Sequence, residues 1–185
     1  MMDAEAKEFI ELAKKYGYAA HVLNNEIFRS RTASERPARE HDAYSYLWVP
    51  SLHLSAHALE CTLKACACLN GVEPLRSRKE GHDLNMMLRQ PYAVALRRRI
   101  LSAAEKSANA LQDIPAYENL DIRDPVEWIE GALTVLGKLH LEAGSKLRYG
   151  SDNPEEQAPS SPLLAHSIYL VTQELGHAPH LFISR

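Results

Sequence analysis

The chain has 185 residues, enough for one well-packed domain and short for two, with 45% hydrophobic and 24% charged residues. That balance excludes a disordered or membrane-embedded chain. A formal net charge of −3 excludes a global attraction to nucleic acid, so any RNA contact has to come from a local patch.

From Asp3 to about Ser30, apolar residues recur at Phe9, Leu12, Tyr16, Ala20, Leu23 and Ile27, the three-and-four spacing of a long amphipathic helix. Arg29 to Asp42 is almost devoid of apolar side chains and contains Pro37, which predicts an exposed basic loop. A second helix is expected from Ala43, kinked or restarted at Pro50, to a stop at Asn70-Gly71. Val72 to Gly81 reads as a polar connector. A short helix then opens at His82-Asp83-Leu84, and a further one runs from Tyr92 to about Leu111 after Pro91. Asn109 to Arg123 contains Pro115 and is expected to be a loop. Asp124-Pro125-Val126-Glu127 combines a capping residue, a first-turn proline and an acid three residues after the cap, and starts a fifth helix to about Leu147. Arg148 to Ser160 reads as a mobile loop, and Ser161-Pro162 opens a last helix to Gly176. No stretch alternates with period two for long enough to propose a sheet, and no internal repeat is visible. The expected fold is all-α: one antiparallel bundle of five or six helices over residues 1–176, followed by a tail, 177–185, whose L-F-I run is suited to docking on the bundle.

No run reaches the ~18 uncharged apolar residues of a membrane span. The N-terminal M-M-D-A-E-A-K-E lacks the apolar centre of a signal peptide, so a cytoplasmic protein without membrane contact is expected. Cys61, Cys66 and Cys68 lie within two turns of one helix. Cys66 and Cys68 point ~200° apart, so they cannot grip a metal together, and reduced core thiols are expected.

Ser51 to Leu88 is the most apolar continuous region, yet His53, His57, Glu60 and Lys64 run through it. Wound at 100° per residue, these four fall within roughly 60° of one another. A helix that is apolar around the rest of its circumference belongs at the centre of its domain. His53 and His57 have a spacing that permits a shared metal, but Leu54 stands where an H-E-x-x-H zinc helix needs its glutamate. The expectation is therefore a solvated or interhelical polar face, or else a functional interior polar site, with no metal and no cofactor. Arg97-Arg98-Arg99 fans over ~200° of the fourth helix and cannot form a flat basic face. Tyr44, Tyr46 and Trp48 precede Pro50 and suit core, dimer or base-stacking contacts. His177 and His180 fall in the tail, away from any such cluster.

The second element of interest is G-H-D-L at Gly81 to Leu84, which presents His82 where Asp83 caps a helix. H-A-L-E-C-T-L-K-A-C-A-C-L-N-G, a short linker and G-H-D-L-N-M-M-L together resemble the HEPN superfamily, the higher eukaryote and prokaryote nucleotide-binding domains. The resemblance covers about residues 40–90, and K-L-R-Y-G-S at Lys146 to Ser151 is similar in style to an Arg-Tyr turn in some members.

The resemblance implies an all-α bundle, often a homodimer, of the kind found among RNA-cutting toxins, phage-defence effectors and their non-catalytic relatives. It implies an accessory domain that binds a nucleotide, RNA or a cognate partner protein, with His57, Glu60, Lys64, Asp83, Arg148 and Tyr149 around the ligand. One alternative is a metal-independent endoribonuclease using an arginine and a histidine four to six residues apart. Two stretches match that spacing, Arg36 with His41 and Arg76 with His82, and the catalytic roles fall first to Arg76 and His82 because Arg36 is followed by Pro37 in an early loop. A second alternative is a non-catalytic structural dimer.

Overall fold

The computed structural model describes residues 3–32, 43–77, 80–112, 124–142 and 161–184. These form helices α1 (Ala4–Thr32), α2 (Ala43–Leu69), α3 (Leu84–Leu88), α4 (Val94–Gln112), α5 (Pro125–Glu142) and α6 (Ser161–His177), with single turns at Glu80–His82, Pro91–Ala93 and Pro179–Phe182. The described residues contain no strand, and none of these helices is long and apolar enough to cross a membrane. The all-α bundle expected from the sequence is the architecture observed.

Side-chain contacts fix the helix directions. Along α1 and α2, the Lys64 ammonium lies over the Phe9 ring, Tyr16 meets His57, and Ser51 donates to the Ala20 carbonyl, so α2 numbers fall as α1 numbers rise. The same inverse order relates α1 to α6, where Lys14 passes Gly176, Gly17 faces Thr172 and His21 stacks on Tyr169. It relates α4 to α6 through Arg99 with Glu174 and Ser107 with Ser167. All three pairs are antiparallel. At Gly17 a Cβ would come within 2.6 Å of Thr172 Oγ1, so the missing side chain sets how closely α1 and α6 approach.

The caps behave as the sequence chemistry requires. Asp124 Oδ1 accepts from the Val126 and Glu127 amides at the start of α5. Gly71, at φ 70°, ends α2, with the Val72 amide reaching the Ala67 carbonyl and the Gly71 amide reaching Cys68. Pro50 neither breaks nor restarts α2, which runs unbroken from Ala43 to Leu69. Its ring lies on the exposed side, where the helix forgoes one backbone hydrogen bond while Leu52 and its neighbours bury the opposite side.

The core sits around α2. Leu52, Leu59 and Leu63 pack with Leu84 and Met87 of α3, Leu96 and Ile100 of α4, Ile129 and Leu136 of α5, and Leu164, Ile168 and Leu175 of α6. From Ser51 to Ala67 only His53, Leu54, His57 and Lys64 are less than fully buried. The central helix and its polar stripe are both present. The tail contributes Phe182, fully buried, while Leu181 and Ile183 remain exposed. Asn70 clamps it by donating to the Phe182 carbonyl and accepting from the Ser184 amide. Cys61 and Cys66 are buried free thiols, and burial pushes both up to about 12, which keeps them protonated and inert.

Candidate functional site

Glu60 is the centre of the polar stripe and its most buried member, with a side chain only 6% exposed. A carboxylate in such a place has to be satisfied by donors, and each oxygen is. Oε1 accepts from Lys64 Nζ at 2.6 Å, one turn along α2. Oε2 accepts from His82 Nδ1 at 2.9 Å and from His140 Nε2 at 2.8 Å. His82 comes from the turn before α3 and His140 from the end of α5, so one carboxylate ties three parts of the bundle together.

Burial alone would raise the Glu60 carboxyl. The hydrogen bonds from His140, Lys64 and His82 more than offset it and hold the group at about 2, ionised at any ordinary pH. A carboxylate can only accept, so these contacts assign a proton to His82 Nδ1 and another to His140 Nε2. His57 completes the group. Its Nε2 lies 3.2 Å from His53 Nε2 and its Nδ1 3.9 Å from Glu60 Oε2. Burial, followed by the neighbouring His140 and His53, pushes His57 down to about 4, although Glu60 pulls the other way. His57 is thus neutral at pH 7.

Exposure differs sharply across the cluster. His140 is 5% exposed, whereas the His82 side chain is 46% exposed. With Nδ1 held by Glu60, His82 has Nε2 left for solvent or a ligand.

The structure therefore brings together His57, Glu60, Lys64 and His82, and adds His140, which sequence reasoning did not single out. The signal was present: Ile129, Leu133, Leu136 and His140 share the buried stripe of α5, and His140 is the polar residue on it. Other candidates lie elsewhere. Arg76 is exposed and its guanidinium is bound to Glu5 of α1 at 2.7 Å, with no contact to His82 among the described residues. The reason is topological, since the connector after α2 runs back past the first turn of α1. Asp83 caps α3, with Oδ1 accepting from the Met86 amide at 2.8 Å. Arg36, His41, Arg148 and Tyr149 lie outside the described residues. The arginine triplet diverges as its spacing requires: Arg99 pairs with Glu174 and lies over the Phe182 ring, Arg97 borders a cavity of about 310 Å³ between α4 and α5, and Arg98 is exposed. His177 is exposed and bound to the Gln173 carbonyl of its own helix.

A second aromatic group lies between α1 and α6. His21 stacks on Tyr169 with ring centroids 4.3 Å apart and on His166 at 5.4 Å, and burial lowers the pKa of both histidines.

Comparison with known families, curated proteins and solved structures finds no match.

Proposed function

We propose that this chain is a HEPN-like accessory domain that binds RNA or a nucleotide at the open edge of the Glu60 cluster, with His82 as the contact residue. The observation that carries this is the two-sided state of His82. One ring nitrogen is fixed by a buried carboxylate and the other is left to a ligand. An imidazole oriented in this way accepts from a ribose hydroxyl through Nε2, or donates to a phosphate oxygen when the ring carries a second proton, without paying for its own ordering at the moment of binding. Gly81 permits the placement: a Cβ there would sit 2.8 Å from the Leu75 carbonyl oxygen, so the connector can fold tightly against the turn that carries His82. The G-H-D-L resemblance supplies the ligand class and, with it, a prokaryotic defence or toxin-type setting and a homodimeric state.

The expected outcome is that a fluorescent single-stranded RNA 12-mer or labelled ATP, titrated at fixed low salt, binds the full chain. His82→Ala should weaken that binding by about tenfold, the loss of one charge-assisted hydrogen bond. Arg76→Ala should leave it within about twofold, because that guanidinium is engaged by Glu5. Equal affinity in a folded His82→Ala, or no binding of either probe, contradicts the proposal.

The same Glu60–His82 hydrogen bond favours a second reading. A carboxylate that fixes an imidazole through Nδ1 prepares Nε2 for general acid or base work on a ribose 2′-OH. Cleavage of total RNA in EDTA, abolished by His82→Ala, would select this reading over simple binding.

A further inference from the structure

Three imidazole nitrogens surround one carboxylate oxygen. Glu60 Oε2 lies 2.8 Å from His140 Nε2, 2.9 Å from His82 Nδ1 and 3.9 Å from His57 Nδ1. One donor atom each from His57, Glu60 and His140 can be chosen so that all three lie within 4.8 Å of one another. Around a tetrahedral ion with bonds of about 2.0–2.2 Å, donor atoms stand roughly 3.3–3.5 Å apart. The two Glu60 separations within this triad, 2.8 Å to His140 and 3.9 Å to His57, bracket that value. With every pair inside 4.8 Å, side-chain shifts of at most about 1.5 Å would convert the triad into one face of a coordination shell.

The chemistry of the donors narrows the ion. Calcium and magnesium require shells built mainly of oxygen, whereas imidazole with one carboxylate suits zinc and its first-row neighbours. Lys64 on Oε1 leaves Oε2, the oxygen that faces the imidazoles, as the ligand atom and fixes Glu60 as a monodentate donor. His57 already has its outer partner, since its Nε2 lies 3.2 Å from His53 Nε2, the kind of contact that orients a metal-bound imidazole.

We propose that His57, Glu60 and His140 bind a divalent first-row transition ion of the zinc class, with water in the fourth position. On loading, the proton on His140 Nε2 moves to the opposite ring nitrogen through water, which leaves that imidazole neutral with its lone pair on the metal. His82 lies outside this triad, so metal binding goes beyond the RNA proposal and neither requires the other.

The test uses the full chain stripped with EDTA, then equilibrated with zinc or with cobalt(II) and desalted. The expected result is one equivalent of zinc per chain and the intense visible absorption of four-coordinate cobalt. His57→Ala and His140→Ala should each reduce retained zinc to about a tenth of an equivalent and abolish the cobalt bands. His166→Ala, in the separate aromatic group with His21 and Tyr169, should keep both. If a ligand variant fails to fold by circular dichroism, the wild-type chain decides, because zinc must raise its melting temperature reversibly with EDTA. Failure of wild type to retain zinc, or unchanged zinc and cobalt spectra in folded His57→Ala and His140→Ala, overturns the proposal whatever the RNA titration shows.

Discussion

Glu60→Ala is expected to destabilise the metal-free protein by about 3–5 kcal/mol and to lower its melting temperature by roughly 10 °C. The size follows from what is left behind. Lys64, with a side chain only 14% exposed, loses its counter-charge, and the His82 and His140 N–H groups lose their acceptor. Glu60→Gln should fall between the two, since it keeps the volume but brings an NH₂ into a ring of donors. The double substitution Glu60→Leu with Lys64→Met should recover most of the loss, because a well-packed apolar pair replaces an ion pair whose desolvation consumed much of its Coulomb gain. Urea unfolding in EDTA, followed by circular dichroism, measures all four proteins. A Glu60→Ala loss below about 1 kcal/mol, as for a surface carboxylate, would contradict a buried and fully satisfied Glu60.

Acid should dismantle the same cluster in two stages. His57 is held at about 4 in the folded chain against an ordinary 6.5, so between these values the unfolded chain binds the extra proton. Stability is therefore complete above pH 6.5 and falls as pH drops toward 4, by an amount of the order of 2–3 kcal/mol. Glu60 is held at about 2 against an ordinary 4.5, so its contribution is present above pH 4.5 and is lost as pH drops toward 2, with a similar magnitude. The groups facing these two are Lys64 and His53 on α2, His82 before α3, His140 on α5 and Tyr16 on α1. His21 and His166, both lowered by burial, add to the first stage. Equilibrium unfolding across pH 3–8 in EDTA should show both stages, and His57→Gln should shrink the first to the His21 and His166 share while leaving the second. Stability that stays level from pH 7 to pH 4.5 would contradict the buried, neutral state of His57.

Much of this arrangement was legible before any coordinates. The 100° wheel placed His57, Glu60 and Lys64 on one face of α2, and the caps at Asp124 and Gly71 are chemical signals that act locally. Periodicity says which face of a helix is buried, but it does not say which helix covers that face. That is why Glu60 was legible and its acceptor role toward His140, 80 residues away, was not. The Arg76–His82 spacing does not reveal the partner of Arg76 for the same reason: Glu5, 71 residues earlier, binds its guanidinium in the fold. Pro50 shows the limit of propensity, since the buried side of α2 outweighs one missing backbone hydrogen bond.

The most direct test of the Glu60 cluster is the position of two protons. Two-bond ¹H–¹⁵N correlation spectra of the histidine side chains, recorded on metal-free protein near pH 7, report which ring nitrogen carries hydrogen. The cluster requires a resident, slowly exchanging proton on His82 Nδ1 and another on His140 Nε2, both lost from slow exchange in Glu60→Gln. A His82 protonated only at Nε2, or a His140 protonated only at Nδ1, would contradict a carboxylate that holds both rings.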